Sequence, residues 1–288
     1  MNEKEIVKTQ QPKKNYLMAD DRKNIKPLPK VESDSYKAAG KMKGFNTIVT
    51  GADSGIGLAV AIAFAKEGAN VALVDLEDNE DLKTAKERIS GLGVKCLTFA
   101  GDVGDEDFAK HTVNAVADEW EDIHVLVNNA AEQHSQESIM NITAAQIDRT
   151  FRTNIYSTIY WSREVFPYLV KGGAIINSSS VTAYKGSPGL MDYASTKGAI
   201  ISFTRSLAQN KEFIDKKIRV NAVAPGPIWT PLIPATLGSS YEEHAGVPMD
   251  RPGEPYELAP TYVYLATNDS SYVTGQTLHV NGGTVVNG

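Results

Sequence analysis

Short β-branched segments alternate with longer segments of helical period along most of the chain, and this pattern constrains the fold more than any other feature. The alternation begins at Phe45. The strand-like runs are TIVT (47–50), NVALVDL (70–76), KCLTFAGD (95–102), HVLVNNA (124–130), GAIINSS (173–179), KIRVNAVAPG (217–226) and QTLHVNG (276–282). Strands that are apolar on both faces and separated by helices predict a parallel sheet covered on both sides.

The pattern therefore predicts one doubly wound, Rossmann-like α/β domain over residues 45–288, with a seven-stranded parallel sheet and helices on both faces. By length alone, 288 residues with 42% hydrophobic content could also hold two smaller cores. No apolar run is long enough to cross a bilayer, and the first 30 residues lack the apolar region of a secretory signal. A single cysteine, Cys96, suits a reducing compartment, so we expect a cytoplasmic protein with no membrane partner.

Charge divides the chain into two unlike parts. Residues 1–44 contain 11 Lys and Arg against 6 Asp and Glu, although the whole chain has a net charge of −6. The acidic remainder has no basic character to hold phosphates, so no nucleic-acid partner is expected. The basic segment lacks apolar periodicity and is predicted to be a poorly ordered arm. Two roles stay open for it: contact with a neighbouring subunit, anchored by Tyr16, Leu17 and Leu28, or a solvated tail.

A glycine-rich loop, GADSGIG (51–57), joins the first predicted strand to a helical segment. Glycines permit positive φ and a close approach of the backbone to a pyrophosphate, and the N-terminus of the next helix offers free N–H groups. The predicted cofactor contacts in this loop are Gly51, Ser54, Gly55, Ile56 and Gly57. The spacing is Gly-x-x-x-Gly-x-Gly, and a glycine-rich turn without a ligand is the alternative.

Asp75 ends the second predicted strand. A carboxylate there can accept hydrogen bonds from the adenosine ribose hydroxyls and would repel a 2′-phosphate, which predicts NAD rather than NADP. The loop agrees, because its variable positions, Asp53 and Ser54, include no Arg or Lys to pair with a phosphate. The alternative is a solvated carboxylate at the end of a strand.

The candidate catalytic residues follow the fifth predicted strand, which ends in Ser178, Ser179 and Ser180. Tyr193 and Lys197 lie four residues apart in a segment of helical period, so they share one helix face. A phenol has a pKa near 10, and a neighbouring ammonium would favour the phenolate and lower that pKa. Together with a serine hydroxyl this is an acid/base arrangement, although an amphipathic helix with a surface lysine has the same pattern.

These motifs, taken in order, resemble the short-chain dehydrogenase/reductase family. The matching segments are TGADSGIG (50–57), NNA (128–130), Asn154 in RTNIYS, the serine run, YASTK (193–197) and APGPIWT (224–230). The resemblance implies a catalytic tetrad of Asn154, Ser180, Tyr193 and Lys197, with Ser180 chosen because the family's serine stands thirteen residues before its tyrosine. In the family roles Tyr193 is the acid/base, Lys197 lowers its pKa and holds the nicotinamide ribose, Ser180 orients the reacting oxygen, and Asn154 anchors a water of the proton relay.

The resemblance also implies four further contacts with the cofactor. It places Asp102 and Val103 beside the adenine, Asn129 on the adenosine side and Ile228 against the carboxamide. Structural roles remain possible for them: Asp102 in a turn, Asn129 within the sheet, Ile228 in the core. Where most relatives have a glycine after Asn-Asn-Ala, this chain has Ala131. The family further suggests a homotetramer, and the arm is similar to that of a bacterial subgroup related to glucose and ribitol dehydrogenases.

The predicted function is hydride transfer between NAD and a secondary alcohol or ketone. The stretch Pro231–Pro255 is expected to close over a small polar or sugar-like substrate. Two alternatives remain open: a 3-oxoacyl thioester reductase, and a non-catalytic protein that senses NAD. The five histidines are widely spaced, so no metal site is expected, and they are interpreted as core or surface residues.

Overall fold

The computed structural model describes residues 25–237 and 247–286, and in that part of the chain seven parallel strands form one sheet. The strands are β1 (Asn46–Thr50), β2 (Asn70–Asp75), β3 (Cys96–Ala100), β4 (Ile123–Asn128), β5 (Leu169–Ser178), β6 (Arg219–Pro225) and β7 (Thr277–Val280). Their order in the sheet is β3-β2-β1-β4-β5-β6-β7. The predicted doubly wound α/β fold is confirmed.

Helices cover both faces of the sheet. Those of the described chain are α1 (Gly55–Lys66), α2 (Glu80–Ser90), α3 (Glu106–Trp120), α4 (Ala144–Phe151), α5 (Ser157–Val165), α6 (Thr182–Lys185), α7 (Met191–Ala208), α8 (Lys211–Asp215), α9 (Leu232–Leu237) and α10 (Pro255–Ala266). One hydrophobic core joins the sheet to α1, α2 and α10, and a second joins the other face to α3, α5, α7 and α8. No helix of the described residues has both the length and the apolar composition needed to span a bilayer.

The fifth strand begins earlier than the sequence pattern predicts. It starts at Leu169, which pairs with Ile123 of β4, and the register then shifts so that Ala174 pairs with Val125. The shift occurs around Gly172, whose φ of +87° suits glycine best. A Gly-Gly pair in the sequence indicates that a strand is interrupted. In the structure, β5 pairs with β4 on both sides of the register shift.

The sequence predicts a poorly ordered arm over residues 1–44, but the structure differs from this prediction over residues 25–44. Residues 25–44 lie against the rest of the chain, with Ile25 and Met42 buried. The hydrogen bonds that hold this segment include Trp229 Nε1 to the Pro27 carbonyl (2.6 Å), the Lys30 amide to Glu254 Oε2 (2.8 Å) and the Tyr36 hydroxyl to Glu67 Oε1 (2.6 Å). These hydrogen bonds to residues elsewhere in the chain hold the segment in place despite its polar composition. Tyr16 and Leu17 lie outside the described residues, and Leu28 is 62% exposed.

The strand order determines where a ligand can bind. The chain moves outward through β1, β2 and β3 and then returns to place β4 on the other side of β1. Connections on the two sides of this point diverge, which opens a crevice at the carboxyl ends of β1 and β4. The loop from Gly51, the segment from Asn129 and the serines after β5 all begin at this edge.

Candidate active site

A cavity of about 460 Å³ occupies the crevice at the carboxyl ends of the strands. It brings together twelve of the fourteen predicted site residues: Gly51, Ser54, Gly55, Ile56, Asp75, Asp102, Val103, Asn129, Ser180, Tyr193, Lys197 and Ile228. Gly57 and Asn154 are not among its lining residues. The sequence therefore predicts most of one contiguous surface, formed by residues from six strand ends and the helix α7.

The glycine loop has the geometry of a phosphate cradle. Gly51 and Gly55 have φ values of +65° and +53°, which L side chains rarely adopt. A Cβ on Gly57 would lie 1.9 Å from the Gly51 carbonyl oxygen and 2.7 Å from Asn129 Nδ2, so this glycine permits the close contact that shapes the loop. Ser54 precedes α1, whose N–H groups and dipole face the cavity. These features fit a dinucleotide pyrophosphate, with Gly57 supporting the loop from behind.

Asp75 stands at the edge of the cavity, beside a second acid. Its Oδ2 accepts a hydrogen bond from the Asp53 amide at 3.2 Å, and Asp53 is itself buried. Burial and the charge of Asp53 raise the pKa of Asp75 above the usual range of a carboxyl group. The sequence predicts an ordinary ionised carboxylate at Asp75, whereas burial and the neighbouring Asp53 favour its neutral form. Asp53 was not predicted as a site residue, because loop position alone does not show that it faces Asp75.

This acid pair predicts pH-dependent binding of NAD. A carboxylate accepts hydrogen bonds from two ribose hydroxyls, so binding favours ionised Asp75 and releases a proton. Affinity should rise with pH, by up to about tenfold per pH unit below the raised pKa of Asp75 in the free protein, and level off above that pKa. Calorimetric titration of NAD from about pH 6 to about pH 9 measures this.

Asp53→Asn removes the like charge and should move the rise in affinity to lower pH, because the pKa of Asp75 then falls. Asp78→Asn, which removes an exposed charge from a residue outside the cavity lining, is the matched control. An affinity that is equal at pH 6 and pH 8 in the unmodified protein contradicts the prediction.

The remaining predicted cofactor contacts combine structural and cavity-facing roles. Asp102 accepts the Gly104 amide at 2.8 Å, as a turn residue does, and pairs with Arg149. Asn129 donates to the carbonyls of Thr50 and Gly51 at 3.0 and 3.1 Å, so it ties β4 to the glycine loop. The other two, Val103 and Ile228, are buried yet line the cavity. Structural and ligand-binding roles are therefore compatible at these positions.

The candidate catalytic side chains meet at the inner end of the cavity. Ser180 and Tyr193 both line the cavity, and the Ser180 hydroxyl is close enough to the Tyr193 phenol to favour its ionised form. Lys197 Nζ lies 5.4 Å from the centroid of the Tyr193 ring and donates to the Ser178 carbonyl at 2.8 Å. One helix, α7, carries both Tyr193 and Lys197, as the four-residue spacing predicts.

The electrostatics of the ligand-free site differ from the expectation that Lys197 lowers the pKa of Tyr193. Burial raises the pKa of the Tyr193 phenol to about 12, and the neighbouring Ser180 opposes this only in part. Burial also lowers the pKa of Lys197, to about 7. Both effects have one cause, since a buried site disfavours the charged form of either group.

Asn154 lies behind the cavity wall, in a π-helical turn (Arg152–Tyr156) between α4 and α5. Its Oδ1 accepts the Glu132 amide at 2.9 Å, and its Nδ2 donates to the Glu132 carbonyl at 2.9 Å and to Thr196 Oγ1 at 3.0 Å. A π-turn of this kind often marks a functional position. Asn154 therefore fixes the segment after β4 against the helix that carries Tyr193 and Lys197.

Sequence reasoning missed the polar residues that follow Ala131. Glu132, Gln133 and His134 line the cavity, as does Arg149 of α4. His134, interpreted from the sequence as a core or surface histidine, is hydrogen-bonded to Glu132. Their position directly after the Asn-Asn-Ala segment at a strand end was the available signal. In the described residues, including this part of the cavity, no group of three or more His, Cys, Asp or Glu side chains has the arrangement of a metal site.

A doubly wound sheet with a glycine cradle, and a Ser-Tyr-Lys set in the same crevice, define a class of nicotinamide-dependent oxidoreductases. A family model described as enoyl-(acyl carrier protein) reductase matches residues 51–285. The chain belongs to the short-chain dehydrogenase/reductase family. Members of this family bind a nicotinamide cofactor, and the cradle described above fits one.

Similar proteins cover nearly the whole chain. An "uncharacterized oxidoreductase YhxC" of Bacillus subtilis is 54% identical over 281 residues, which is 97% of this chain and 95% of that protein. A "glucose and ribitol dehydrogenase" of Daucus carota is 44% identical over 286 residues, covering 96% and 95% of the two chains. A solved short-chain dehydrogenase/reductase of Brucella melitensis, described as a glucose/ribitol dehydrogenase, has a TM-score of 0.78 and 32% identity over 86% of this chain and 99% of that one.

Two further solved structures hold different cofactors. A 3-ketoacyl-(acyl-carrier-protein) reductase of Brucella melitensis, complexed with NADH, has a TM-score of 0.78 and 29% identity over 85% of this chain and all of that one. A short-chain dehydrogenase of Burkholderia cenocepacia, in complex with NADP, has a TM-score of 0.79 and 26% identity over 85% and 99% of the two chains. The shared fold thus accommodates both dinucleotides, and residues in this chain's own cavity must decide between them.

Proposed function

We propose that the protein is an NAD-dependent oxidoreductase that interconverts a secondary alcohol and a ketone on a small polar or sugar-like substrate. The observation that carries the proposal is that Ser180 and Tyr193, with Lys197 beside the tyrosine ring, line the same cavity as the glycine cradle. A binding function alone does not require these three side chains together. The relatives described as glucose and ribitol dehydrogenases support a polyhydroxylated substrate.

In the proposed mechanism each side chain has its own role. Tyr193 exchanges a proton with the substrate oxygen through its hydroxyl, and Ser180 donates a hydrogen bond that orients the same oxygen. The nicotinamide ring, when bound, accepts or supplies the hydride, and its oxidised form adds positive charge that favours the phenolate. Lys197 is held by the Ser178 carbonyl at 2.8 Å, which keeps its ammonium within reach of both the phenol and the ribose position.

Asp53 and Asp75 support NAD over NADP. A 2′-phosphate near Asp75 would face two acids, and Arg149 on the cavity wall is already paired with Asp102 and Glu132. We predict that at about pH 9, where Asp75 is ionised, Asp75→Asn improves the kcat/KM for NADP relative to that for NAD by about tenfold, since a charge repulsion of roughly 1.4 kcal/mol is removed. Steady-state kinetics with both cofactors measure the ratio, and Asp78→Asn should leave it unchanged.

A 3-oxoacyl thioester reductase is the second candidate, because one solved relative is described as a 3-ketoacyl reductase and the family model is described by a related activity. A panel of polyols, sugars, ketones and acyl thioesters, each tested with NAD(H) and NADP(H) by nicotinamide absorbance, separates the candidates. Turnover of polyols or sugars with NAD supports the proposal. Turnover restricted to NADPH and thioesters overturns it, and tight NAD binding without any turnover favours a sensing role.

We also propose a homotetramer in which α7 packs against its counterpart in another subunit. A Cβ on Gly198 would meet nothing within 4 Å, and Tyr156 and Ile159 near the start of α5 are exposed apolar residues. We predict that Gly198→Arg leaves the subunit folded but lowers the molecular mass measured by light scattering, because the long side chain prevents close approach. Gly198→Ala is the control, and an unchanged mass for the arginine variant contradicts this interface.

Two expectations about the rest of the protein stay proposals. One is that the N-terminal arm, residues 1–24, contacts a neighbouring subunit. The same mass measurement on a chain without those residues tests it.

The other is a cytoplasmic location, which is supported by Cys96, a free thiol. Fractionation of cells that express the protein measures its location.

A further inference from the structure

We propose that Glu132, Gln133 and His134 form a polar wall that recognises the non-reacting hydroxyl groups of the substrate, and that Gln133 and His134 determine specificity. The inference rests on the proposed function and goes beyond it, because it assigns residues to the part of the substrate that does not react. All three residues line the cavity that holds Ser180 and Tyr193. Gln133 is 4% exposed, and the His134 side chain is 11% exposed.

The backbone of the wall is fixed at its beginning and at its end. At the beginning, Asn154 binds both the amide and the carbonyl of Glu132, at 2.9 Å each. At the end, the Gln136 amide donates to the Gly189 carbonyl at 2.9 Å, and Gln136 Nε2 donates to Gln146 Oε1 at 2.7 Å. A segment held in this way presents its side chains in a preorganised position, which reduces the entropy lost on binding.

An ion-pair chain orients the side chains of the wall. The Glu132 carboxylate accepts from Arg149 Nε at 3.0 Å through one oxygen and contacts His134 Nε2 at 2.9 Å through the other. Arg149 also pairs with Asp102. Because a carboxylate only accepts hydrogen bonds, His134 must carry its proton on Nε2, and its ring orientation is thereby fixed.

The opposite side of the cavity is less polar and is connected to the wall. Gln133 Nε2 donates to Thr236 Oγ1 of α9 at 2.7 Å, while Leu232 and Ile233 of the same helix line the cavity. A bound molecule would therefore meet amide and imidazole groups on one side and aliphatic groups on the other. A polyhydroxylated chain or ring has a hydroxyl-bearing edge and a C–H face. The edge matches the polar side of the cavity, and the C–H face matches the aliphatic side.

Buried amide and imidazole groups discriminate strongly between substrates. An alcohol without further hydroxyl groups cannot make the hydrogen bonds to the wall that a polyhydroxylated substrate would make, which weakens both binding and turnover. The wall thus favours a sugar or polyol over a simple secondary alcohol or an acyl chain. Ala131, whose Cβ replaces the hydrogen of the family's glycine, precedes the wall and lines the same cavity.

The test compares ribitol with cyclohexanol as substrates of the full-length protein with NAD. Gln133→Met keeps the length of the side chain and removes its hydrogen-bonding groups, and His134→Phe does the same for the ring. Each variant should lose about 10- to 100-fold in kcat/KM for ribitol, while the value for cyclohexanol stays within about threefold of the unmodified protein. Binding of ribitol to the protein with NADH present, measured by calorimetry, should weaken in parallel.

Matched controls are Gln209→Met and His111→Phe, which make the same changes at exposed positions outside this cavity. A parallel loss for both substrates overturns the inference, because it indicates a general structural role, and so does an unchanged preference for ribitol. If ribitol binds in a Gln133-dependent manner but is not oxidised, the wall is supported and the proposed function fails. If ribitol neither binds nor reacts with the unmodified protein, the wall is overturned.

Discussion

Tyr193→Phe should lower kcat by about 10²- to 10⁴-fold, which is the usual contribution of a positioned general acid/base. The change removes only the hydroxyl that exchanges a proton with the substrate. The phenol ring is buried, and its packing against Lys197 is kept. Cofactor affinity should therefore change little, and calorimetry with NAD, together with kcat on the best substrate of the panel, measures both quantities.

The Tyr193 variant has a matched control close by in the chain. Tyr184→Phe removes a hydroxyl from a tyrosine of α6 that packs against His279 and does not line the cavity. Its kcat should stay close to that of the unmodified protein. A Tyr193→Phe variant that retains most of its turnover contradicts the assignment of the acid/base. A variant that also loses NAD affinity indicates a wider structural disturbance instead.

Gly57→Ala should weaken NAD binding by about 10- to 100-fold and lower the thermal stability. The new Cβ would lie 1.9 Å from the Gly51 carbonyl oxygen, a backbone atom that cannot move without changing the loop. Overpacking of this kind costs about 1–3 kcal/mol, and each 1.4 kcal/mol corresponds to about tenfold in affinity. Calorimetric NAD titration and a thermal melt with and without NAD measure the two effects.

Gly91→Ala is the matched control for this change. Gly91 follows α2 with φ −61° and ψ −17°, an ordinary right-handed helical conformation that alanine adopts readily. Stability and NAD affinity should be unchanged or slightly improved there. If Gly57→Ala binds NAD as tightly as the unmodified protein, the loop from Gly51 to Gly57 does not hold the cofactor in the way described.

The fold could be predicted because its signal is local and repeated. Strands such as β1, buried on both faces, require continuous β-branched and apolar residues, and these residues are visible in the sequence. The start of β5 was less predictable, since Gly172 and its neighbours indicate a break that pairing with β4 spans. Residues 25–44 were misjudged for a similar reason: their order depends on Glu67, Trp229 and Glu254, which are distant in the chain.

The site could be predicted where its residues follow motif spacing. Tyr193 and Lys197 share a helix face because they are four residues apart, and Gly51, Gly55 and Gly57 stand where the loop needs them. Spacing gave no information about Asp53 facing Asp75, or about Arg149 bridging Asp102 and Glu132. Those contacts join residues from different strand ends, and their pairing depends on how the sheet twists and packs.

The sequence by itself determined the doubly wound architecture, the glycine loop and the shared helix face of Tyr193 and Lys197, because each is encoded by periodicity or short-range spacing. The choice of Ser180 among three adjacent serines depended on the family resemblance. The tertiary structure alone decided the electrostatic state of these groups. Burial in one cavity raises the pKa values of Tyr193 and Asp75 and lowers that of Lys197. It also decided which polar side chains line the substrate end, because desolvation and ion pairing depend on distances in space rather than along the chain.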